Sequence, residues 1–316
     1  MKPIYNKIFL EHDTGMHPEN KRRLEVLKLR SNKVLNGERY LYLVHSKKYI
    51  KRVKDTCSNG GALDIDTFVS RKSYEASVYA VGATIQASRS GDFAFVRPPG
   101  HHAYPDKSSG FCVFNNLAIS VKKLISEGKR VLIFDFDGHL GDGVERIFYD
   151  SDKVLYFSTH QYPAFPGHGF VDEVGSGKGK GYTINVALPP GAADDLLFKS
   201  FRKFLPIMKR FEPDVVAISA GFDGYSGDLL LDLNYSIGSF YKIGKFLRDN
   251  FNFMYATFEG GYNLEALPKC VLNFLDGING RKQRYKDKIT RSSLEVRREY
   301  DKRLKILEKE LLRYWK

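Results

Sequence analysis

The chain has 316 residues, 42% hydrophobic and 14% aromatic, enough apolar material for one large buried core. Its formal net charge is +13, yet no nucleic-acid-binding motif accompanies the excess. No apolar run reaches the roughly 18 to 20 residues of a bilayer span, and three scattered cysteines, Cys57, Cys112 and Cys270, support neither a disulfide framework nor a CxxC metal site.

The first segment, MKPIYNKIFLEHD, lacks the apolar stretch and small-residue cleavage site of a secretory leader, so a cytoplasmic location is expected. Helix-period sequence at 72–88 is followed by the β-branched and aromatic run FAFVR (93–97). A second helix-period stretch (115–126) precedes RVLIFDFD (130–137) and KVLYFSTH (153–160). YTINVAL (182–188), a helix over 194–211, DVVAISA (214–220), a helix over 238–249 and FMYATFEG (253–260) complete the alternation. Strands alternating with amphipathic helices predict an α/β fold, a mostly parallel sheet covered by helices on both faces. Glycine-rich stretches at 59–61 and 175–181 read as loops, not domain joints.

The last segment, from Arg281, holds 14 Lys or Arg against 6 Asp or Glu. Ser292 and Glu295 have capping-box spacing, and Tyr300, Leu304, Leu307, Leu311 and Tyr314 recur at helical steps. The expected organisation is one domain over 1–280 and a basic amphipathic helical extension over 281–316. That tail suits a solvated helix face or an acidic or nucleic-acid-associated partner.

In parallel α/β sheets, functional residues gather where strands end. After FAFV comes RPPGHH, with His101 and His102. RVLIF is followed by Asp135, Asp137, His139 and Asp142; DVVAISA by Gly-Phe-Asp223; FMYATF by Glu-Gly-Gly-Tyr262. If the strand continues, residues 135, 137 and 139 share a face, so Asp137 and His139 can approach one ion with Asp223 arriving from another strand. Such a set with an open position suits catalytic Zn²⁺ or Fe²⁺, which polarises a carbonyl and lowers the pKa of its water to about 7. The paired histidines supply a proton shuttle, oriented by Asp135 and Asp142, and Tyr262 supplies an oxyanion donor.

Alone, an HH pair, a DxD or a GGYN turn carries little; their succession at strand ends carries the argument. The DFDGH run imitates the DxDGT of haloacid-dehalogenase-like phosphatases, but His139 replaces the threonine, the motif lies mid-chain, and RPPGHH and EGGYN are left without a role. A calcium loop fails because Arg146 stands where a bidentate glutamate is required.

These motifs resemble the histone deacetylase superfamily, which includes acetylpolyamine amidohydrolases and acetoin-utilisation proteins. The likeness spans roughly residues 11–278 through HDTGMHPENKRRL, RPPGHHAYPDKSSGFCVFNN, DFDGHLGDGVERIFYD, FPGHG, SAGFDGYSGD and EGGYNL. It implies an arginase/deacetylase three-layer fold and zinc-dependent hydrolysis of an N-acyl amide. By the same resemblance Asp137, His139 and Asp223 are the metal ligands, and His101, His102, Asp135, Asp142 and Tyr262 the catalytic set. His101 is expected closer to the base role and His102 to the leaving amine, with one histidine serving both left open. Gly110, Phe111 and Phe165 would line the acyl-lysine channel, Asp66 would bind substrate at its rim, and Asp135, Asp137, His139, Ser158 and the Thr159 carbonyl would hold a structural K⁺. Two departures are Leu140, where most relatives have a second histidine, and Lys21, where proline is common. Acetyl-lysine in a protein and a small acetylated amine both remain as substrates, and a non-catalytic acyl-ligand binder is the reading from another class. The oligomeric state is left open.

Overall fold

Val131–Asp135 is buried at every position, which is how a strand reads when helices cover both faces of its sheet. The computed structural model describes residues 1–315; Lys316, the end of the basic tail, lies outside the described residues. In chain order the elements are β1 (Pro3–Ile4), α1 (Arg22–Glu25), α2 (Lys47–Asn59), β2 (Gly61–Ala62), β3 (Phe68–Val69), α3 (Ser73–Ser90), β4 (Phe93–Ala94) and α4 (Asn116–Ser126). They continue with β5 (Val131–Asp135), α5 (Asp142–Phe148), β6 (Val154–Gln161), β7 (Thr183–Leu188), α6 (Asp194–Arg210) and β8 (Val215–Ala220). α7 (Ile237–Asn250), β9 (Met254–Phe258), α8 (Leu267–Ile278) and α9 (Leu294–Leu311) complete the chain.

Seven strands form one sheet in the order β1-β4-β9-β8-β5-β6-β7, and every pairing in it is parallel. β2 and β3 make a separate antiparallel pair. Aromatic side chains fill both layers. Phe134 of β5 packs on Phe157 of β6 and Phe201 of α6 with centroids 5.1 and 4.9 Å apart, while Phe136 meets Phe274 of α8 at 5.3 Å.

The expected α/β alternation is present, with two local differences. β5 stops at Asp135 because Asp135 Oδ1 accepts from the Asp137 amide (3.1 Å) and Asp137 Oδ1 from the His139 amide (2.9 Å), folding the chain into successive turns. Period-two alternation therefore does not carry Asp137 and His139. Second, glycines 60 and 61 close α2 and open β2. β1, α2 and α8 lie outside the expected set, although α2 has its Ser46 cap and buries Tyr49, Ile50, Val53 and Cys57 at helical steps.

Residues 281–293 are not helical, and α9 begins after Ser293, whose side chain accepts from the Val296 amide. Ser292 is not the cap; it bonds Asp195 and the Ala193 amide instead. Tyr300, Leu304, Leu307 and Leu311 are buried, while Tyr314 stays 43% exposed. α9 lies along the outermost strand, β7: Arg303 donates to the carbonyls of Ala187 (3.1 Å) and Tyr162 (2.6 Å), and Trp315 to that of Gly181 (2.7 Å). No helix among the described residues is long and apolar enough to cross a membrane.

Candidate active site

Because β4, β9, β8 and β5 are neighbours, the loops leaving their carboxyl ends meet over one stretch of sheet edge. Asp137 and His139 come from the turn after β5 and Asp223 from the loop after β8. One ligand atom from each lies within 4.8 Å of the others. His139 Nδ1 is 2.8 Å from Asp223 Oδ2 and 3.5 Å from Asp137 Oδ1. Backbone amides fix the carboxylates: Asp223 Oδ1 accepts from Gly138 and Asp137 Oδ2 from Gly260, both at 2.7 Å. A Cβ at residue 260 would sit 2.6 Å from Asp137 Oδ2 and 2.5 Å from Asp223 Oδ2, so only glycine lets that strand end approach.

Both aspartates are wholly buried, which is costly for two like charges without a cation. The field is visible in the histidine: burial opposes its protonation, but Asp137 and Asp223 outweigh burial and push His139 up to about 10. Burial likewise opposes the ionised form of Asp137, yet His101 and His139 hold its carboxyl well below the usual range. A site that draws positive charge this strongly, through two carboxylate oxygens and one imidazole nitrogen, fits a divalent metal ion.

His101 and His102 stand on the loop after β4. Glu259, at the end of β9, accepts from the Gly100 (2.7 Å) and His101 (3.2 Å) amides and so ties that loop to the next strand. His102 Nδ1 is 2.6 Å from Asp142 Oδ1. His101 Nδ1 is 3.5 Å from Asp135 Oδ2, and its Nε2 is 3.9 Å from Asp137 Oδ1. The rings lie 3.9 Å apart and behave oppositely. Burial opposes the charge on His101, but Asp137 and Asp135 raise its pKa well above the ordinary imidazole value; burial and the His101 charge push His102 down to about 4 despite Asp142.

Tyr262 sits on the turn after β9, 6% exposed, its amide donating to Asp228 Oδ2 at 2.6 Å. Burial raises its hydroxyl well above the ordinary phenol value, so it carries its proton. Phe111 meets the Tyr262 ring edge-on at 5.9 Å, and Phe165 meets His102 at 5.0 Å, so two aromatic walls flank the opening. At Gly110, φ is +52° and an added Cβ would run into the His102 ring, which ties that wall to the histidine. Phe68, on the β2–β3 hairpin, packs at 5.7 Å on His17, which packs at 4.5 Å on Phe111. Half-buried Asp66 belongs to that hairpin; burial and neighbouring Asp64 raise its carboxyl to about 6.

Ser158 pairs in register with Asp135 across β6 and β5, and Thr159 follows it, its buried hydroxyl without a hydrogen-bond partner among the described residues. Leu140 is wholly buried with its side chain facing Gly169, Lys21 is exposed, and neither belongs to the Asp137–His139–Asp223 set.

Sequence reasoning missed Arg23. It lies buried under the Gly-Gly-Tyr turn, donates to the carbonyls of Gly261 (2.8 Å) and Glu259, pairs with Glu19 at 3.1 Å, and has its guanidinium 4.7 Å from the Tyr262 ring centre. Glu19 also holds Arg97 and faces His12. The HPENKRRL stretch carried these residues without a signal for their partners.

Residues 17–278 match the histone deacetylase domain. The chain belongs to the histone deacetylase family. A protein of Archaeoglobus fulgidus named a probable deacetylase is 34% identical over 307 residues, covering 88% of this chain and 86% of that one. The histone deacetylase-like amidohydrolase of Pseudomonas aeruginosa is 31% identical over 297 residues, covering 85% and 78%. Among solved structures, the crystal structure of the HDA15 HD domain superposes with a TM-score of 0.89 at 27% identity, covering 100% of this chain and 97% of that one. Within this family the arginase/deacetylase architecture expected from the motifs is the one observed.

Proposed function

We propose that this chain is a metal-dependent deacetylase that hydrolyses an N-acetyl amide, acetyl-lysine or similar, to a free amine and acetate. The observation that carries the reading is convergence: four adjacent strand ends bring the Asp137–His139–Asp223 set, the two carboxylate-backed histidines and Tyr262 to one opening walled by Phe111 and Phe165. Asp137, His139 and Asp223 would hold Zn²⁺, with Fe²⁺ the alternative, which when bound supplies Lewis-acid polarisation of the acyl carbonyl and acidifies water.

His102 uses Nδ1 toward Asp142, leaving Nε2 to take a proton from the attacking water and deliver it to the departing amine. His101, held charged between Asp135 and Asp137, stabilises developing negative charge beside it. This gives both proton transfers to His102, unlike the division expected from sequence. Tyr262 donates its hydroxyl proton in a hydrogen bond to the acyl oxygen as that oxygen gains charge. Phe111 and Phe165 exclude water along an extended alkyl chain. Asp135 beside Ser158 and Thr159 supports a structural K⁺ there.

Exposed Ile65, Phe68, Phe165 and Leu229 lie on the segments that carry Asp66, the Phe165 wall and Asp228, and exposed Met16 adjoins His17, which packs on Phe111. This apolar rim supports acetyl-lysine in a peptide over a bare acetylated polycation. Acetate release from matched acetyl-lysine peptides and acetylpolyamines, with zinc loading and a chelated control, tests the reading. Metal-dependent turnover on peptides is expected; metal bound with no acetate released from either class would overturn it.

A further inference from the structure

A second group of metal-ligand side chains lies outside the cluster described so far. Glu145 is on α5, and His168 and Glu173 are on the segment between β6 and β7 that also carries Phe165. One ligand atom from each lies within 4.8 Å of the others. His168 Nδ1 is 3.9 Å from Glu145 Oε2 and 3.9 Å from Glu173 Oε2. That is too long for a hydrogen bond, whereas two ligands sharing a tetrahedral ion at ordinary bond lengths stand roughly 3.4 Å apart.

The other oxygen of each carboxylate is already engaged. Glu145 Oε1 accepts from Asn185 at 2.6 Å, and Glu173 Oε1 accepts from the amides of Gly169 and Phe170 at 2.7 and 2.9 Å. Asn185 also donates to the Glu173 carbonyl at 3.2 Å, so one buried amide braces both glutamates. Each Oε2 is thereby aimed at the same imidazole nitrogen. Glu145 is 4% exposed, and among the described residues its Oε2 accepts no hydrogen bond. Nor does any Lys or Arg nitrogen among them come within 4.0 Å of either carboxylate. Glu145 Oε2 is thus the accessible oxygen of a mostly buried group, and holding a carboxylate in such a place is costly unless a cation meets it.

We propose that Glu145, His168 and Glu173 form a second, exchangeable site for a divalent transition cation of the Zn²⁺ class. Two carboxylate oxygens and one imidazole nitrogen leave room for water, and the 42% exposure of the His168 side chain opens the site to solvent. Its position gives it a consequence. The far nitrogen of His168, Nε2, is 3.4 Å from Tyr104 Oη and 3.9 Å from Asp142 Oδ2, and Asp142 Oδ1 is the oxygen that holds His102. A cation here stands behind the Asp142–His102 pair, separated from it by one imidazole ring, and fixes the loop that carries the Phe165 wall. Occupancy draws on the Asp142 charge and slows proton transfer through His102.

The test is metal counting. Protein stripped with chelator is dialysed against rising buffered Zn²⁺, and bound metal and melting temperature are read together. Two equivalents are expected for the native chain, the second weaker and accompanied by a rise in melting temperature. His168→Ala should retain one and lose the second rise; Glu173→Gln, which keeps an acceptor for the two amides, should weaken the second equivalent at least tenfold. Asp223→Ala should lose the other equivalent, so the two sites fail independently. A native chain that saturates at one equivalent, or a second equivalent that survives both His168→Ala and Glu173→Gln, would overturn the proposal.

Discussion

Asp142 Oδ1 lies 2.6 Å from His102 Nδ1, the shortest of the histidine–carboxylate contacts in the cluster. Asp142→Asn keeps the shape but removes the charge that selects the Nδ1–H tautomer. Turnover should fall about a hundredfold or more, with metal content and melting temperature near native values. Native turnover in this variant would remove His102 as the proton shuttle.

Tyr262→Phe deletes one hydroxyl at the opening and leaves the Arg23 stack on the ring. Loss of a single oxyanion donor typically lowers kcat by about 10²- to 10³-fold. KM should change little, and bound metal should stay at the native level.

Asp223→Ala removes the acceptor for His139 and for the Gly138 amide in one step. Metal measured after dialysis should fall by one equivalent and activity should vanish with it. Stoichiometric metal at the first site would refute Asp223 as a ligand.

Arg23→Met leaves Glu19 with Arg97 and His12 and strands the carbonyls of Gly261 and Glu259 beneath the Tyr262 turn. Breaking a buried ion pair from one side costs about 3 to 5 kcal/mol. Melting temperature should drop, and kcat should fall more than metal content, because Arg23 acts by positioning Tyr262.

His45 gives a pH signature away from the metal ligands. It is buried, its Nε2 accepts from the Asn115 amide at 3.0 Å, and Asn115 in turn holds the carbonyl of Ala103 at 2.9 Å. Burial lowers its pKa to about 4, below the roughly 6.5 of an unfolded histidine. Between those values the unfolded chain binds a proton that the folded one refuses. The contribution is therefore complete above about pH 6.5 and is lost as pH falls toward 4, on the order of 3 kcal/mol in all. Melting curves from pH 7 to 4 should show a shallower decline for His45→Gln than for the native chain.

The sheet was legible because buried parallel strands leave near-continuous β-branched and aromatic runs, and the cluster because its side chains follow four of those runs directly. Asp137 and His139 were reached by a different route from the one the pattern suggested: hydrogen bonds of Asp135 and Asp137 to nearby amides turn the chain where alternation assumed an extended strand. Arg23 and Glu259 were hidden because the backbone atoms they hold lie more than 150 residues away and leave no trace in local spacing. Glu145, His168 and Glu173 were hidden because no short motif joins three residues drawn from a helix and a loop.

The placement of α9 bears on how the chain behaves while it is being made. β7 is the rim of a parallel sheet, and an uncovered rim is a template for the strand of any neighbouring molecule. Arg303 and Trp315 reach carbonyls on or beside that strand, so the seam is capped by a segment synthesised after every strand of the sheet. Until that stretch arrives, the nascent sheet presents an adhesive border, and a chain shortened before Leu294 would keep it for good.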